Sequence, residues 1–110
     1  MIAYDDFLRV DVRAGTILDA KPLPNARKAA YALRIDFGPD LGQRSSSAQI
    51  TERYAARELI GMQVCAVVNF PPKRIAGFES QALVLGMDDH AGNVVLVTPT
   101  LPVPNGRRLY

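Results

Sequence analysis

Hydrophobic and polar residues alternate along several stretches of this chain of 110 residues, and such alternation is typical of β-strands with one buried face. Residues 10–20 carry Val, Val, Ala, Thr, Leu and Ala at their even positions, which predicts a long first strand. Gly15, near its middle, predicts a bend or bulge. Residues 31–37 alternate in the same way, and the serine-rich residues 43–50 are expected to pair back as a third strand.

A helix is predicted between the third strand and the next. Thr51 suits a helix cap, residues 52–60 favour a helix, and Gly61 ends it. We expect Leu59 and Ile60 to be among the side chains that face inward. Only this one segment of the chain predicts more than a single helical turn.

Three further strands and an irregular tail complete the predicted elements. The apolar runs at residues 64–68 and 82–85 are typical of buried strands, the fourth and fifth. Residues 94–98 predict a short sixth strand after a turn. Residues 4–8 favour a short turn of helix, and three prolines in residues 99–110 predict an irregular arm.

These elements predict an all-β chain with one short helix, arranged as a five-stranded Greek-key barrel of the oligonucleotide/oligosaccharide-binding (OB) type. An extra C-terminal strand and the irregular tail would follow the barrel. Residues 1–110 are expected to form a single domain, with an N-terminal turn at 1–8 and the arm at 99–110. In such a barrel the ligand lies on strands 2 and 3, between the loop joining strands 1 and 2 and the loop joining strands 4 and 5. Here those loops are residues 21–29 and 69–80.

The segment of residues 69–80 carries the most informative candidate chemistry. Pro71 and Pro72 fix φ and withhold two N–H donors, so neither flanking strand can continue through them. Lys73 and Arg74 follow directly, with a phenylalanine on either side of the four residues. A stiff, cationic loop beside aromatic rings suits a phosphate backbone with unstacked bases. The alternative is an ordinary hairpin loop whose charges are only solvated.

Composition excludes several classes of protein and leaves a cationic middle. The chain is 48% hydrophobic and 22% charged, with a net charge of +2, which is ordinary for a globular protein. Residues 21–74 nevertheless hold nine basic residues against four acidic ones. No run is long enough to insert into a membrane, the acidic start does not resemble a signal peptide, and a lone cysteine cannot form an internal disulfide. We therefore expect a cytoplasmic protein.

The basic residues near the expected ligand face are the candidates for phosphate contact: Arg27, Lys28, Arg34, Arg44, Lys73 and Arg74. Phe78, beside a loop glycine, is the leading candidate for stacking on a base, whereas Tyr31 and Phe37 alternate with core residues and are expected inside. The only histidine lies in a turn and the only cysteine in an apolar strand, and no zinc-like spacing or phosphate-binding glycine loop occurs. No enzyme activity, cofactor or metal ion is therefore expected.

Several blocks of the sequence resemble a known family. They are Phe-Leu-Arg-Val-Asp-Val-Arg-Ala-Gly-Thr-Ile at 7–17, Ser-Ser-Ala-Gln-Ile-Thr at 46–51, Asn-Phe-Pro-Pro-Lys-Arg-Ile-Ala-Gly-Phe at 69–78 and Pro-Val-Pro-Asn-Gly at 102–106. They resemble the tRNA-binding domains found as free-standing dimers and as appendages of some aminoacyl-tRNA synthetases. The nearest match is the stand-alone CsaA branch, which is named as an export-related chaperone.

The resemblance implies a barrel of this type, a homodimer, and tRNA binding without base-specific readout. It also implies an alternative role, in which the protein holds unfolded preproteins for the secretion machinery, with or without RNA. The positions that match the family's ligand cleft are Ser46, Ser47, Gln49, Asn69, Lys73, Arg74 and Ser80. Asn69 and the two serines of the third strand could equally serve the backbone around them.

Overall fold

Nine strands and three short helices follow one another in the computed structural model, which describes residues 1–110. The strands are β1 (Val12–Pro22), β2 (Tyr31–Asp36), β3 (Gln43–Ala48), β4 (Gln63–Val67), β5 (Lys73–Ile75), β6 (Phe78–Ser80), β7 (Leu83–Val84), β8 (Gly86–Asp88) and β9 (Val94–Leu96). The helices are α1 (Tyr4–Leu8), α2 (Gly38–Leu41) and α3 (Ala56–Leu59). The predicted all-β class is confirmed, and α1 confirms the turn of helix predicted at residues 4–8, whereas α2 was not predicted. At four or five residues each, the helices are far too short to cross a membrane.

The main sheet is a nearly closed, five-stranded antiparallel barrel with the strand order β3-β2-β1-β4-β7. Strands β1, β2 and β3 form a meander, and β4 returns to lie beside β1, which is the Greek-key arrangement. The predicted barrel is therefore confirmed, with β7 as its fifth strand. The two outer strands meet where the N–H groups of Gln81 and Ala82 donate to the carbonyl oxygen of Ser45, at 2.9 and 3.2 Å.

Strand β1 is shared between two partners, and its irregularity lies elsewhere than predicted. Its first half pairs with β4 and its second half with β2, and the register with β2 shifts between Ile17 and Asp19. The expected bulge at Gly15 is therefore wrong. Gly15 instead lies where a Cβ atom would come within 2.6 Å of Ile35 and 2.7 Å of Phe37. The strand needs glycine there because the barrel interior has no room for a side chain.

The barrel interior holds the main hydrophobic core. Phe37 is the largest fully buried side chain, and Ile17, Leu33, Ile35 and Val64 are buried around it. Burying each of these side chains contributes roughly 1.5–3 kcal/mol. Tyr31 and Phe37, expected inside from their alternation, are both buried, so neither ring is free to stack on a ligand.

A smaller core lies on the opposite face of β1 and β4. It consists of Val12, Cys65 and Val67, with Leu85 and Val97 packed against it. Burial raises the pKa of the Cys65 thiol, because a thiolate would lose its hydration there. Cys65 thus fills space as a small apolar residue.

The C-terminal arm is irregular as predicted, but its last residues pair with β1. The N–H of Gly106 donates to the carbonyl of Ala14 at 2.8 Å, and the N–H of Leu109 donates to the carbonyl of Val12 at 2.9 Å. These residues occupy the edge of β1 that β2 leaves unpaired, since β2 joins only from Thr16 onward. The arm therefore completes the hydrogen bonding of the first strand.

The helix after β3 is shorter than expected and begins later. Residues 51–53 form a turn, and α3 covers only Ala56–Leu59, so Thr51 does not cap it. The start is fixed instead by Glu58, whose Oε1 atom accepts a hydrogen bond from the N–H of Ala55 at 2.9 Å. Leu59 is fully buried as expected, whereas Ile60 is 53% exposed and does not face inward.

The segment of residues 69–80 is not a simple loop, because it contains a hairpin of its own. Strands β5 and β6 pair through Lys73 with Ser80 and Ile75 with Phe78. The two residues between them, Ala76 and Gly77, have φ angles of 51° and 79°. Two successive positive φ angles are typical of the type I′ turn, which matches the twist of a hairpin.

Candidate nucleic-acid interface

A groove of about 720 Å³ lies between the two loops that the barrel topology singles out. One wall comes from the β1–β2 loop, the floor from the end of β3, and the other wall from the β5–β6 hairpin. The lining residues are Asn25, Ala26, Arg27, Lys28, Ala30, Ser47, Gln49, Lys73, Arg74, Ile75 and Ala76. We call this feature the cationic groove, because two basic side chains face it from each wall.

The first wall is pinned at its base. The N–H of Leu23 donates to the carbonyl oxygen of Ala30 at 2.9 Å, and both residues are buried. This bond closes the loop after β1, so that Arg27 and Lys28 lie at its exposed tip. The apolar anchor at the base thus presents the two charges to solvent and to the groove.

The second wall is held against β3 by hydrogen bonds that involve side chains, and not by the regular backbone hydrogen bonds of paired strands. The N–H of Ser47 donates to Oγ of Ser80 at 3.0 Å, and Oγ of Ser45 donates to the carbonyl oxygen of Glu79 at 2.6 Å. The N–H of Ser45 donates to Oε1 of Gln81 at 2.9 Å. These bonds fix β6 beside β3, and β5 in turn carries Lys73 and Arg74 along the groove.

None of the four groove cations has a carboxylate partner. The ion pairs of the chain are Arg13–Asp11, Lys21–Asp19, Arg53–Asp89 and Arg108–Asp11. Arg74 donates from Nη1 to the carbonyl oxygen of Gly77 at 2.7 Å, which orients its guanidinium without neutralising it. Four exposed cations without a partner create a positive potential that attracts a polyanion.

The structure brings six of the predicted site residues to the groove and places others elsewhere. Arg27, Lys28, Ser47, Gln49, Lys73 and Arg74 line it. Arg34 is exposed but lines no part of the groove. Arg44 donates from Nη1 to the carbonyl oxygen of Val68 at 2.7 Å and so joins β3 to the end of β4. Ser46 is fully buried in the barrel, so its hydroxyl cannot reach a ligand.

Three other predicted site residues, Asn69, Phe78 and Ser80, do not line the groove. Asn69 accepts a hydrogen bond from the N–H of Asp11 at 3.0 Å and donates to the carbonyl oxygen of Arg9 at 2.7 Å, so both ends of its amide are engaged. Ser80 accepts from Ser47 and donates to the carbonyl oxygen of Ala82 at 3.3 Å. Phe78 is half-buried and lies outside the groove.

A second cavity of about 360 Å³ adjoins the cationic groove and was not expected from the sequence. Phe70 lines it and is 51% exposed, so it is Phe70, not Phe78, that presents an open aromatic ring. The sequence indicates Phe70 only as one of the two phenylalanines that flank the prolines and cations of this segment. No group of three or more His, Cys, Asp or Glu side chains is placed to hold a metal ion.

Comparison with known proteins identifies the family. Residues 12–108 match the family model described as "Putative tRNA binding domain", which covers nearly the whole chain. The chain belongs to the tRNA-binding domain family. This family is defined by binding and not by catalysis, and the groove between the two basic loops lies where an OB-type barrel holds its ligand.

Solved structures and curated relatives agree with this assignment. The structure of the chaperone CsaA from Bacillus anthracis is 52% identical, with a TM-score of 0.93 over 100% of this chain and 99% of that one. CsaA from Picrophilus torridus is 46% identical, with a TM-score of 0.93 over the whole of both chains. The methionine–tRNA ligase of Porphyromonas gingivalis is 38% identical over 108 residues, which are 98% of this chain and 15% of the ligase. The chain thus spans about 15% of the length of the curated ligases that it matches.

Proposed function

We propose that this chain binds tRNA in the cationic groove, mainly through the phosphate backbone and without base-specific readout. The observation that carries the proposal is the convergence of Arg27, Lys28, Lys73 and Arg74, all without carboxylate partners, on one groove. Ser47 and Gln49 lie on the groove floor as uncharged polar groups for the same backbone. In this proposal residues 1–110 form one binding domain, which acts in the cytoplasm and catalyses no reaction.

A salt titration of bulk tRNA binding tests this proposal. Cations that neutralise phosphates release counterions, so the logarithm of the affinity should fall linearly with the logarithm of the salt concentration. For four phosphate contacts the slope is roughly −3, between the values for single strands and for duplex. Absence of binding at low salt, or an affinity that does not change with salt, would refute the proposal.

We also propose that the protein is a homodimer. Large apolar side chains lie exposed near both chain ends, with Ile2 and Tyr4 76% and 69% exposed and Leu101 75% exposed. Exposed apolar surface of this kind is typical of an interface, and a twofold axis is the commonest way to cover it. Sedimentation equilibrium should give twice the chain mass of 12.0 kDa, and a mass equal to that of one chain contradicts the dimer.

A second candidate function is a chaperone that holds unfolded preproteins for the secretion machinery. It is favoured by the full-length similarity to two structures named as CsaA chaperones, at 52% and 46% identity. The protein should then suppress the aggregation of several unfolded clients at salt concentrations that abolish tRNA binding, because apolar contacts are not screened. Failure to suppress aggregation of any client excludes this function and leaves the tRNA-binding proposal intact.

A further inference from the structure

The cavity of about 360 Å³ beside the cationic groove has the composition of a site for a flat, partly polar group. Its floor is apolar, with Ala82 and Leu83, and Phe70 and Pro71 form one side. We call it the Phe70 cavity. Ligand sites usually combine such apolar walls with a small number of polar groups that set the orientation of the ligand.

Phe70 supplies an aromatic face that the fold itself does not use. The ring is 51% exposed, and the only aromatic pair in the chain lies elsewhere, between Tyr4 and Phe7. An exposed phenylalanine held next to Pro71 loses little conformational freedom on binding, because the adjacent backbone is already restricted. Stacking on such a ring is available to every nucleobase.

Gln81 supplies the polar group. Its Oε1 atom accepts a hydrogen bond from the N–H of Ser45 at 2.9 Å, which fixes the orientation of the amide. Its Nε2 group makes no hydrogen bond within the chain, and Gln81 lines the Phe70 cavity. The residues that line this cavity therefore include both an exposed ring and an amide donor without a partner in the chain, and a carbonyl oxygen or ring nitrogen of a base can accept from that donor.

The Phe70 cavity and the cationic groove adjoin each other. Ser47, Lys73 and Ile75 line both of them. A chain of alternating phosphates and bases can thus place a phosphate against the groove cations and the neighbouring base against Phe70. An apolar peptide would use the ring and could offer a backbone carbonyl oxygen to Gln81, but it has no anion for the adjacent cations.

We propose that the Phe70 cavity binds the base of an unpaired nucleotide whose phosphate lies in the cationic groove. This inference rests on the proposed function and adds to it a preference for RNA with unpaired residues. This preference does not depend on which base is unpaired. The stacking face accepts any base, and a single amide donor distinguishes bases only weakly. A base inside a continuous duplex cannot enter the cavity.

The test compares wild type with Phe70→Leu and Phe70→Ala, using single-stranded oligoadenylate and a blunt RNA duplex as probes. Loss of stacking should weaken oligoadenylate binding roughly 5- to 150-fold in both variants and leave duplex binding unchanged. The salt slope should stay the same, because no phosphate contact is removed. Phe78→Ala is the matched control, since Phe78 belongs to the same segment of residues 69–80 and lies outside the cavity.

The outcomes separate this inference from the proposed function. Wild-type affinity of both Phe70 variants for oligoadenylate overturns the base site while salt-dependent tRNA binding can persist. Full retention of binding in Phe70→Leu, with oligoadenylate displaced by a short apolar peptide, also overturns it, because the cavity would then accept an apolar side chain. Equal losses for oligoadenylate and duplex point to damage of the groove and contradict the inference as well.

Discussion

Replacement of Lys73 and Arg74 by alanine should reduce tRNA affinity and, more specifically, its dependence on salt. The two side chains supply half of the four cations that face the cationic groove. Both are exposed and neither forms an ion pair, so their removal creates no buried charge and should not unfold the chain. The variant therefore tests binding and not stability.

The magnitude follows from counting phosphates. With four contacts and a slope of −0.7 to −0.9 per phosphate, wild-type affinity should fall roughly 50- to 150-fold between 50 and 200 mM salt. With two contacts the same change in salt should lower affinity only about 7- to 12-fold. Curves for wild type and variant should therefore converge as the salt concentration rises.

Fluorescence anisotropy with labelled tRNA, measured at several salt concentrations, gives these slopes directly. The matched control is the double variant Arg34→Ala/Arg57→Ala, which lowers the net charge by the same amount at exposed positions outside the groove. If the control flattens the slope as much as the test variant, the overall charge determines binding and the groove does not. An unchanged slope in the test variant would show that Lys73 and Arg74 do not contact phosphates.

Two further substitutions test assignments that the structure makes to the fold. Asn69→Ala should lower the free energy of unfolding by about 0.5–1.5 kcal/mol in urea denaturation, because it removes hydrogen bonds to the N–H of Asp11 and the carbonyl oxygen of Arg9 that are exposed to water. The tRNA affinity of this variant should not change. A loss of affinity without a loss of stability would show that Asn69 contacts the RNA. Gly15→Ala should cost roughly 1–3 kcal/mol by thermal unfolding, because its Cβ would lie 2.6–2.8 Å from Ile35 and Phe37. An unaffected melting temperature would contradict the packing described.

The strands of the barrel could be predicted because each buries one face and so alternates in sequence. Residues 31–37 show this pattern without interruption, and β2 was placed within one residue. Glycine is harder to interpret, since the same residue marks a bulge or a close approach. Gly15 is explained by Phe37, which packs on it from a strand about twenty residues later, and this contact has no local signature.

In the candidate site, the positions of the loops could be predicted from the sequence, whereas the orientation of individual side chains could not. The position of the two basic loops followed from the strand order, so Arg27, Lys28, Lys73 and Arg74 could be predicted together. The serine run of β3 could not be resolved, because successive residues point to opposite faces and three serines leave the phase undetermined. The structure places Ser46 inside the barrel, and Ser47 lines the groove.

The closure of the barrel and the shape of the site depend on the same few hydrogen bonds. Ser80 and Gln81 join the hairpin to β3 through their side chains, at Ser47 and Ser45 respectively. Those bonds add to the two backbone hydrogen bonds that the carbonyl oxygen of Ser45 accepts from Gln81 and Ala82, and they hold the hairpin that carries Lys73 and Arg74 beside β3. Gln81 takes part in both, because its Oε1 atom binds β3 at Ser45 and its side chain lines the Phe70 cavity. Hydrogen bonds that hold the groove walls together before a ligand binds lower the entropic cost of binding, and this favours the proposed recognition of RNA by its backbone and by stacking.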